Sequence, residues 1–207
     1  MSEEIQPGAY AARLPIGSRL PMPETMASEV FPFEGDIQVK VLDAPLLPEP
    51  ARGGDPNGPP CWACANPDEG VIWRNERWHV RCPAAASGLP VVVVLQPNAH
   101  HDLDDLSADL AAELGVMIQR VARAVGSLDG IGRVHFNRWG DGSAHFHVWF
   151  LPRPAGMRQL RGACIALWDD ILPAVPEAEW RANLNRVATA LAAVDGRTVG
   201  LPPVPPT

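Results

Sequence analysis

Two places in the chain hold side chains whose types and spacing could do chemistry. Cys61-Trp62-Ala63-Cys64 sets two thiols at the C-x-x-C interval, with which two thiolates can grip one ion. Further on, Gly142–Pro154 reads GSAHFHVWFLPRP: His145 and His147 alternate with bulky apolar residues, and Trp149 takes the next alternate position. A redox role for C-x-x-C calls for a strand before it and a helix after it. Here a Pro/Gly loop precedes and Asn66-Pro67-Asp68-Glu69-Gly70 follows, which favours metal. Zinc held by two thiolates needs two more ligands, and the candidates are histidines 79, 100, 101, 135, 145 and 147. His100 and His101 follow an apolar run whose end can present a side chain rigidly. His145 and His147, two apart on an expected strand, share a face. Both could bind one ion and close the site with the cysteines, without His100. His79 and His135, isolated on expected strands, read as ordinary core or surface histidines.

The elements that must position these groups follow from hydrophobic periodicity. Val71–Trp73 and Arg77–Arg81 flank Asn75-Glu76 as a tight hairpin, and Pro90–Gln96 is a β-branched run suited to a strand buried on both faces. Leu106, Leu110, Leu114, Met117, Val121, Val125 and Leu128 mark one face of a long helix that starts among aspartates and ends at Gly130. Ile131–Trp139 and Ala144–Leu151 read as two strands joined by a tight Gly140-Asp141-Gly142 turn. Pro176 starts a helix with a stripe of Trp180, Leu184, Val187, Leu191 and Val194, ending at Gly196. Strands, one long helix, two strands and then helices imply an α+β fold with an antiparallel sheet.

Before Cys61 the composition differs. Residues 1–60 hold eleven of the 23 prolines, so regular structure is expected only at Asp36–Leu42, DIQVKVL, which alternates as a half-buried strand would. The chain divides into a Pro-rich arm (1–58), a core (59–155) and a helical extension with a loose tail, LPPVPPT (156–207). With 207 residues, one substantial core is expected. A net charge of −7 argues against a nucleic-acid surface but leaves room for a locally electropositive site that takes a small anion. No apolar run is long enough to span a bilayer, and MSEEIQPGAYAAR does not read as a secretory signal, so a cytoplasmic location is expected. Cys82 and Cys164 read as buried thiols, and MRQLRGACIALWDDILP (157–173) as a dimer contact or a lid.

Leu95-Gln96-Pro97-Asn98-Ala99-His100, the Asp102-Leu103-Asp104-Asp105-Leu106 that follows, and His145-Phe146-His147-Val148-Trp149 with Pro152-Arg153 beyond it together resemble the histidine triad (HIT) superfamily over about residues 60–154. The resemblance implies a sheet with a packed helix, commonly homodimeric, that binds nucleotides and hydrolyses or transfers nucleoside monophosphate groups. It assigns a structural zinc ion to Cys61, Cys64, His100 and His145, and the nucleophile to His147. That division is chemically consistent, because a nitrogen committed to a metal cannot also attack phosphorus, whereas a free neutral imidazole can. Gly142 and Ser143 become candidate phosphate contacts, with Asn137, Trp149 and Arg153 (and less directly Arg138 and Trp139) as further substrate contacts. The expected partner is a nucleotide or nucleotide conjugate, with neither nucleic acid nor membrane.

Two departures stand out. Trp149 replaces the third histidine of the triad, and an indole has one N–H donor and cannot act as acid or base. Asp141-Gly142-Ser143-Ala144 replaces the family's Gln-Ser-Val approach and puts a carboxylate near the phosphates. The expectation is therefore a hydrolase or nucleotidyltransferase that works through a covalent His147 intermediate. The competing expectation is a zinc-stabilised nucleotide-binding protein with little or no turnover.

Overall fold

The β-branched run around Val93 lies in the middle of a sheet, where both of its faces are covered. The computed structural model describes residues 14–23 and 29–200. Among them the elements run α1 (Trp62–Ala65), β1 (Val71–Arg74), β2 (Trp78–Arg81), β3 (Val93–Pro97), α2 (Ala108–Gly126), β4 (Ile131–Asn137), β5 (Val148–Pro154), α3 (Ile165–Ile171), α4 (Glu177–Ala192) and β6 (Arg197–Thr198). The strands form one six-stranded sheet in the order β4-β5-β3-β2-β1-β6, with every pair antiparallel. The fold is α+β, as the element order implies.

Side chains alternate across the sheet and divide the molecule in two. On one face Trp78, Val80, Val93, Leu95, Val148 and Phe150 pack with Met117 and Val121 of α2 and with Trp180 and Leu184 of α4. On the other, Val92 and Leu151 pack against Ile165 of α3. That second face also carries a row of residues paired across four strands, Arg81–Val94–Trp149–Asn137. Polar and aromatic groups in register with a buried valine are unusual for a covered sheet, and this row borders the site.

Several expectations change. DIQVKVL forms no strand: Ile37 and Val41 are exposed, and no strand among the described residues pairs with the segment to bury them. The long helix is interrupted at its start. Asp102 caps a 3-10 turn over Leu103–Asp105, Leu106 is extended, and Ser107 Oγ then accepts the Leu110 N–H to begin α2. The β4–β5 connection is longer than a tight turn and includes His145 and His147, which precede β5 rather than lie on it. Backbone bonds to other segments hold this connection in place: Phe146 N–H donates to His101 O at 2.7 Å, and Ala144 N–H to Gly53 O at 3.0 Å. Val194 is 64 % exposed, because α4 ends at Ala192 and a left-handed Gly196 turns the chain into β6, a strand the periodicity did not reveal. Cys82 is buried, but Cys164 is only partly so. The N-terminal segment 1–13 and the tail 201–207 lie outside the described residues.

The described part of the Pro-rich region before α1 holds no helix or strand, yet it packs on the rest. Trp168 Nε1–H donates to Val30 O at 2.8 Å, and Gly53 forms a parallel bridge with Ser143. No helix among the described residues is long and apolar enough to cross a membrane.

Candidate active site and metal centre

Three segments distant in sequence meet at the end of β3. The short α1 presents Cys61 and Cys64, the loop after β3 presents His100, and the β4–β5 connection presents His145. One ligand atom from each lies within 4.8 Å of every other. His145 Nδ1 is 3.5 Å from both sulfurs, and His100 Nδ1 is 3.5 Å from Cys64 Sγ. A tetrahedral zinc at ordinary bond lengths separates sulfur and nitrogen ligands by about 3.5 Å, so the donor set and its spacing fit that ion. All four cysteines are free thiols. Partial desolvation and the neighbouring Cys61 push the Cys64 thiol up to about 11, a proton that a divalent cation would displace.

The surroundings prepare the nitrogens. His145 is 1 % exposed and its Nε2 stands 3.0 Å from the Pro97 carbonyl oxygen. Nε2 therefore carries the proton and Nδ1 turns its lone pair to the thiols. Burial lowers the His145 pKa, against the opposing pull of Pro97, and keeps the ring neutral. His100 is fixed differently. Gly54, at φ +92°, passes so close that a Cβ there would meet His100 Cε1 at 2.6 Å. The loop carrying Gly54 is tied down by Arg52, which pairs with Asp55 at 2.9 Å and Asp102 at 2.8 Å and donates to Gly140 O at 2.9 Å. Asp102 in turn accepts from Arg138 at 2.6 Å. Arg138 is thus spent on the scaffold.

His147 points elsewhere. Its Nδ1 lies 2.9 Å from the backbone oxygen of His145, so Nδ1 donates and Nε2 keeps its lone pair. Together with Ser143 and Trp149 it lines two adjoining cavities of about 400 and 560 Å³, sizes typical of small-molecule sites. In the first cavity His147 and Trp149 face Trp62 and Arg81 across Val94 and Gln96. In the second they face Trp139 and Asp170.

The remaining expected site residues divide. Gly142 and Ser143 line the cavity, but Ser143 Oγ accepts the His145 N–H at 3.1 Å and braces the loop. Asn137 stands directly across from Trp149 on the same face and borders neither cavity. Arg153 pairs across from Arg133, donates to Pro154 O at 3.0 Å, and is not brought to the cavity. His101 contributes its backbone oxygen to the connection, and His135 is half-buried. His79 is 3 % exposed, with Nδ1 3.1 Å from Asn98 Oδ1 and Nε2 3.1 Å from Arg81 Nη2.

Sequence reasoning passed over Arg81, Trp62 and Gly54. Arg81 is 5 % exposed on the cavity floor, and its Cζ sits 5.1 Å from the Trp62 ring centre. Burial first, and Arg74 next, lower its pKa, though a guanidinium stays charged. The signal was present in Trp78-His79-Val80-Arg81, where polar side chains alternate with apolar ones on a strand buried on both faces.

No protein-family model matches the sequence, and no curated protein matches it. Solved structures do match. A hypothetical histidine triad nucleotide-binding protein from Sulfolobus tokodaii aligns at 14 % identity over 65 % of this chain and 93 % of its own, with a TM-score of 0.46. A zinc-bound histidine triad family protein from Mycobacterium smegmatis aligns at 20 % identity over 60 % and 84 %, with a TM-score of 0.42. A uridylyltransferase mutant aligns at 21 % identity over 65 % of this chain and 48 % of its own, with a TM-score of 0.46.

Proposed function

We propose that this chain is a nucleotidyl hydrolase or transferase in which His147 attacks an α-phosphorus beside a structural zinc held by Cys61, Cys64, His100 and His145. One observation carries the reading: the His145 carbonyl accepts a hydrogen bond from His147 Nδ1–H, which leaves Nε2 with its lone pair on a residue that lines a cavity of about 400 Å³. When bound, zinc supplies the cross-link that fixes α1, the loop after β3 and the β4–β5 connection. With Cys61, Cys64, His100 and His145 all holding it, the ion would serve as a structural cross-link and not as a site for substrate.

In the first step His147 Nε2 forms a bond to phosphorus, and the bond to the leaving-group oxygen breaks, with the electron pair going to that oxygen. In the second step water or an acceptor hydroxyl displaces the histidine, loses its proton to solvent, and returns His147 to its starting form. The backbone N–H groups of Gly142 and Ser143 are the nearest candidates to meet the phosphate oxygens. Trp149 cannot protonate a leaving group, so the reading favours phosphoanhydrides, whose leaving phosphate departs as a stable anion. The same observation favours one alternative, a binding protein with little turnover, if no such leaving group is supplied. A homodimer and a cytoplasmic location, where the cysteines stay reduced, belong to the same proposal.

The test is intact-mass measurement after mixing with dinucleoside polyphosphates, nucleotide sugars and nucleoside phosphoramidates. A mass increase of one nucleotidyl group (a nucleoside monophosphate less one water) is expected with wild type and not with His147→Asn. Affinity without adduct or turnover across the panel would leave the binding reading alone.

A further inference from the structure

Arg81 is a buried cation without an anion. Its Nε and Nη2 approach His79 Nε2 at 3.3 and 3.1 Å, Nη2 lies 3.5 Å from the Asn66 carbonyl oxygen, and Nη1 has no partner at all. Every one of these partners is neutral. His79 is held so by burial first and by Arg81 next, which bring its pKa down to about 4. Among the described residues no carboxylate lies within ion-pair distance of Arg81. Glu69, exposed, is the one acidic side chain in the cavity lining and does not reach it. Nor would Cys61 and Cys64 balance it, since two thiolates would be matched by the divalent cation proposed above. An uncompensated buried charge is among the most expensive features a fold can keep, so its retention beside a cavity points to a ligand.

The geometry agrees. Arg81, Val94 and Trp149 stand in one row across β2, β3 and β5, so the Cα atoms of Arg81 and Trp149 are about 10 Å apart at ordinary strand spacing. Val94 makes the apolar floor between them. The Trp62 ring lies 5.1 Å from the guanidinium carbon and is itself 55 % exposed, so the group stacked on Arg81 is a surface side chain. His147 stands at the other end of this row, its ring 6.5 Å from that of Trp149, so Arg81 faces the cavity two strands away from the group that attacks phosphorus.

We propose that Arg81 anchors a second anionic group of the substrate, a carboxylate or a phosphate, carried by the part of the molecule that lies in the cavity away from the phosphorus attacked by His147. The inference rests on the reading of the cavity as a nucleotide site. Its substrates are doubly anionic compounds, and Arg81 selects them over singly anionic ones.

The experiment uses zinc-loaded full-length protein and calorimetric titration of two probe pairs. Uridine 5′-monophosphate against orotidine 5′-monophosphate adds one carboxylate, and adenosine 5′-monophosphate against adenosine 3′,5′-bisphosphate adds one phosphate. In at least one pair the doubly anionic member is expected to bind tenfold or more tightly, and the pair that responds identifies the group. Arg81→Gln should reduce that ratio to within twofold, while Arg81→Lys retains part of it. Ratios near one in both pairs with wild type overturn the proposal, as does a ratio that survives in Arg81→Gln. Should Arg81→Gln not fold, the wild-type ratios and Arg81→Lys still decide. Selectivity through Arg81 with no His147 adduct would overturn the catalytic reading alone, and an adduct without selectivity would overturn this one alone.

Discussion

The Nδ1 of His147 is 2.9 Å from the carbonyl oxygen of His145, so the backbone of one histidine sets the ring of the other. A histidine two residues earlier, with its own Nδ1 directed at the thiols, thereby fixes which nitrogen of His147 keeps its lone pair. We expect His147→Gln to bind nucleotide within about threefold of wild type while forming no adduct. The wild-type adduct, a phosphorus–nitrogen bond, should survive alkali and be lost in acid. Quench experiments at the two extremes check this. An adduct stable in acid would place the bond on another side chain.

A metal at Cys61, Cys64, His100 and His145 would cross-link α1 to the loop after β3 and the β4–β5 connection, so its removal should be felt throughout the fold. The purified protein is expected to hold about one zinc per chain, and Cys61→Ser to hold almost none. A chelator should lower the melting temperature by roughly 10 °C or more. Elemental analysis and thermal melts decide both. A metal-free chain that melts unchanged would remove the ligand assignment.

Gly54 provides a sharper probe of the same centre, because it is not a ligand. A Cβ at Gly54 would meet His100 Cε1 at 2.6 Å at a φ of +92°, whereas one at Gly53 meets only the Gly142 oxygen at 3.6 Å. Gly54→Ala should therefore destabilise the protein by about 1–3 kcal/mol and loosen zinc, and Gly53→Ala far less. Denaturant unfolding and chelator competition measure the pair. Equal effects at the two glycines would mean that the contact with His100 does not matter.

The sheet and the long helix were legible because each rests on a local pattern, alternation or a helical stripe. The set Cys61, Cys64, His100 and His145 came instead from the resemblance to the histidine triad superfamily, spacing alone having left His147 as an alternative ligand to His100. What escaped was set by contacts between distant segments. DIQVKVL alternates like a strand yet pairs with no strand among the described residues. The His145–His147 segment alternates like β5 but is drawn out of the ladder by bonds to His101 and Gly53. Arg153 follows the histidines in sequence yet lies four residues along β5 from Trp149, too far to serve the cavity. Arg81 looked unremarkable because its neighbours Trp62 and Gln96 come from other elements. Periodicity gives the face a side chain occupies and says nothing of what stands over that face.

Trp149 makes a prediction about the leaving group. With no acid in the position after His147, turnover should favour phosphoanhydrides over phosphoramidates, whose amine must be protonated to depart. Trp149→His supplies a group that titrates near neutrality and should raise phosphoramidate turnover tenfold or more, within the usual range for a placed general acid. Initial rates on both substrate classes with both proteins check this. A wild type that prefers phosphoramidates would require an acid elsewhere in the cavity.

His79 predicts how stability depends on pH. Burial, with Arg81 next, lowers its pKa from 6.5 to about 4, so the folded state keeps the ring neutral while the unfolded chain takes up a proton. The stabilisation is complete above about pH 6.5 and is lost as pH falls from there to about 4, because in that window the unfolded state binds more protons. At ~1.4 kcal/mol per pH unit the loss approaches about 3 kcal/mol. Metal binding through histidine and cysteine is itself pH-dependent, so the comparison is with His79→Gln. Its amide can keep a bond to Asn98 or Arg81 but does not titrate. Urea unfolding of both proteins at a series of pH values should show the wild-type advantage shrinking steadily between pH 6.5 and 4. A constant difference across that range would mean that His79 is not held neutral in the fold.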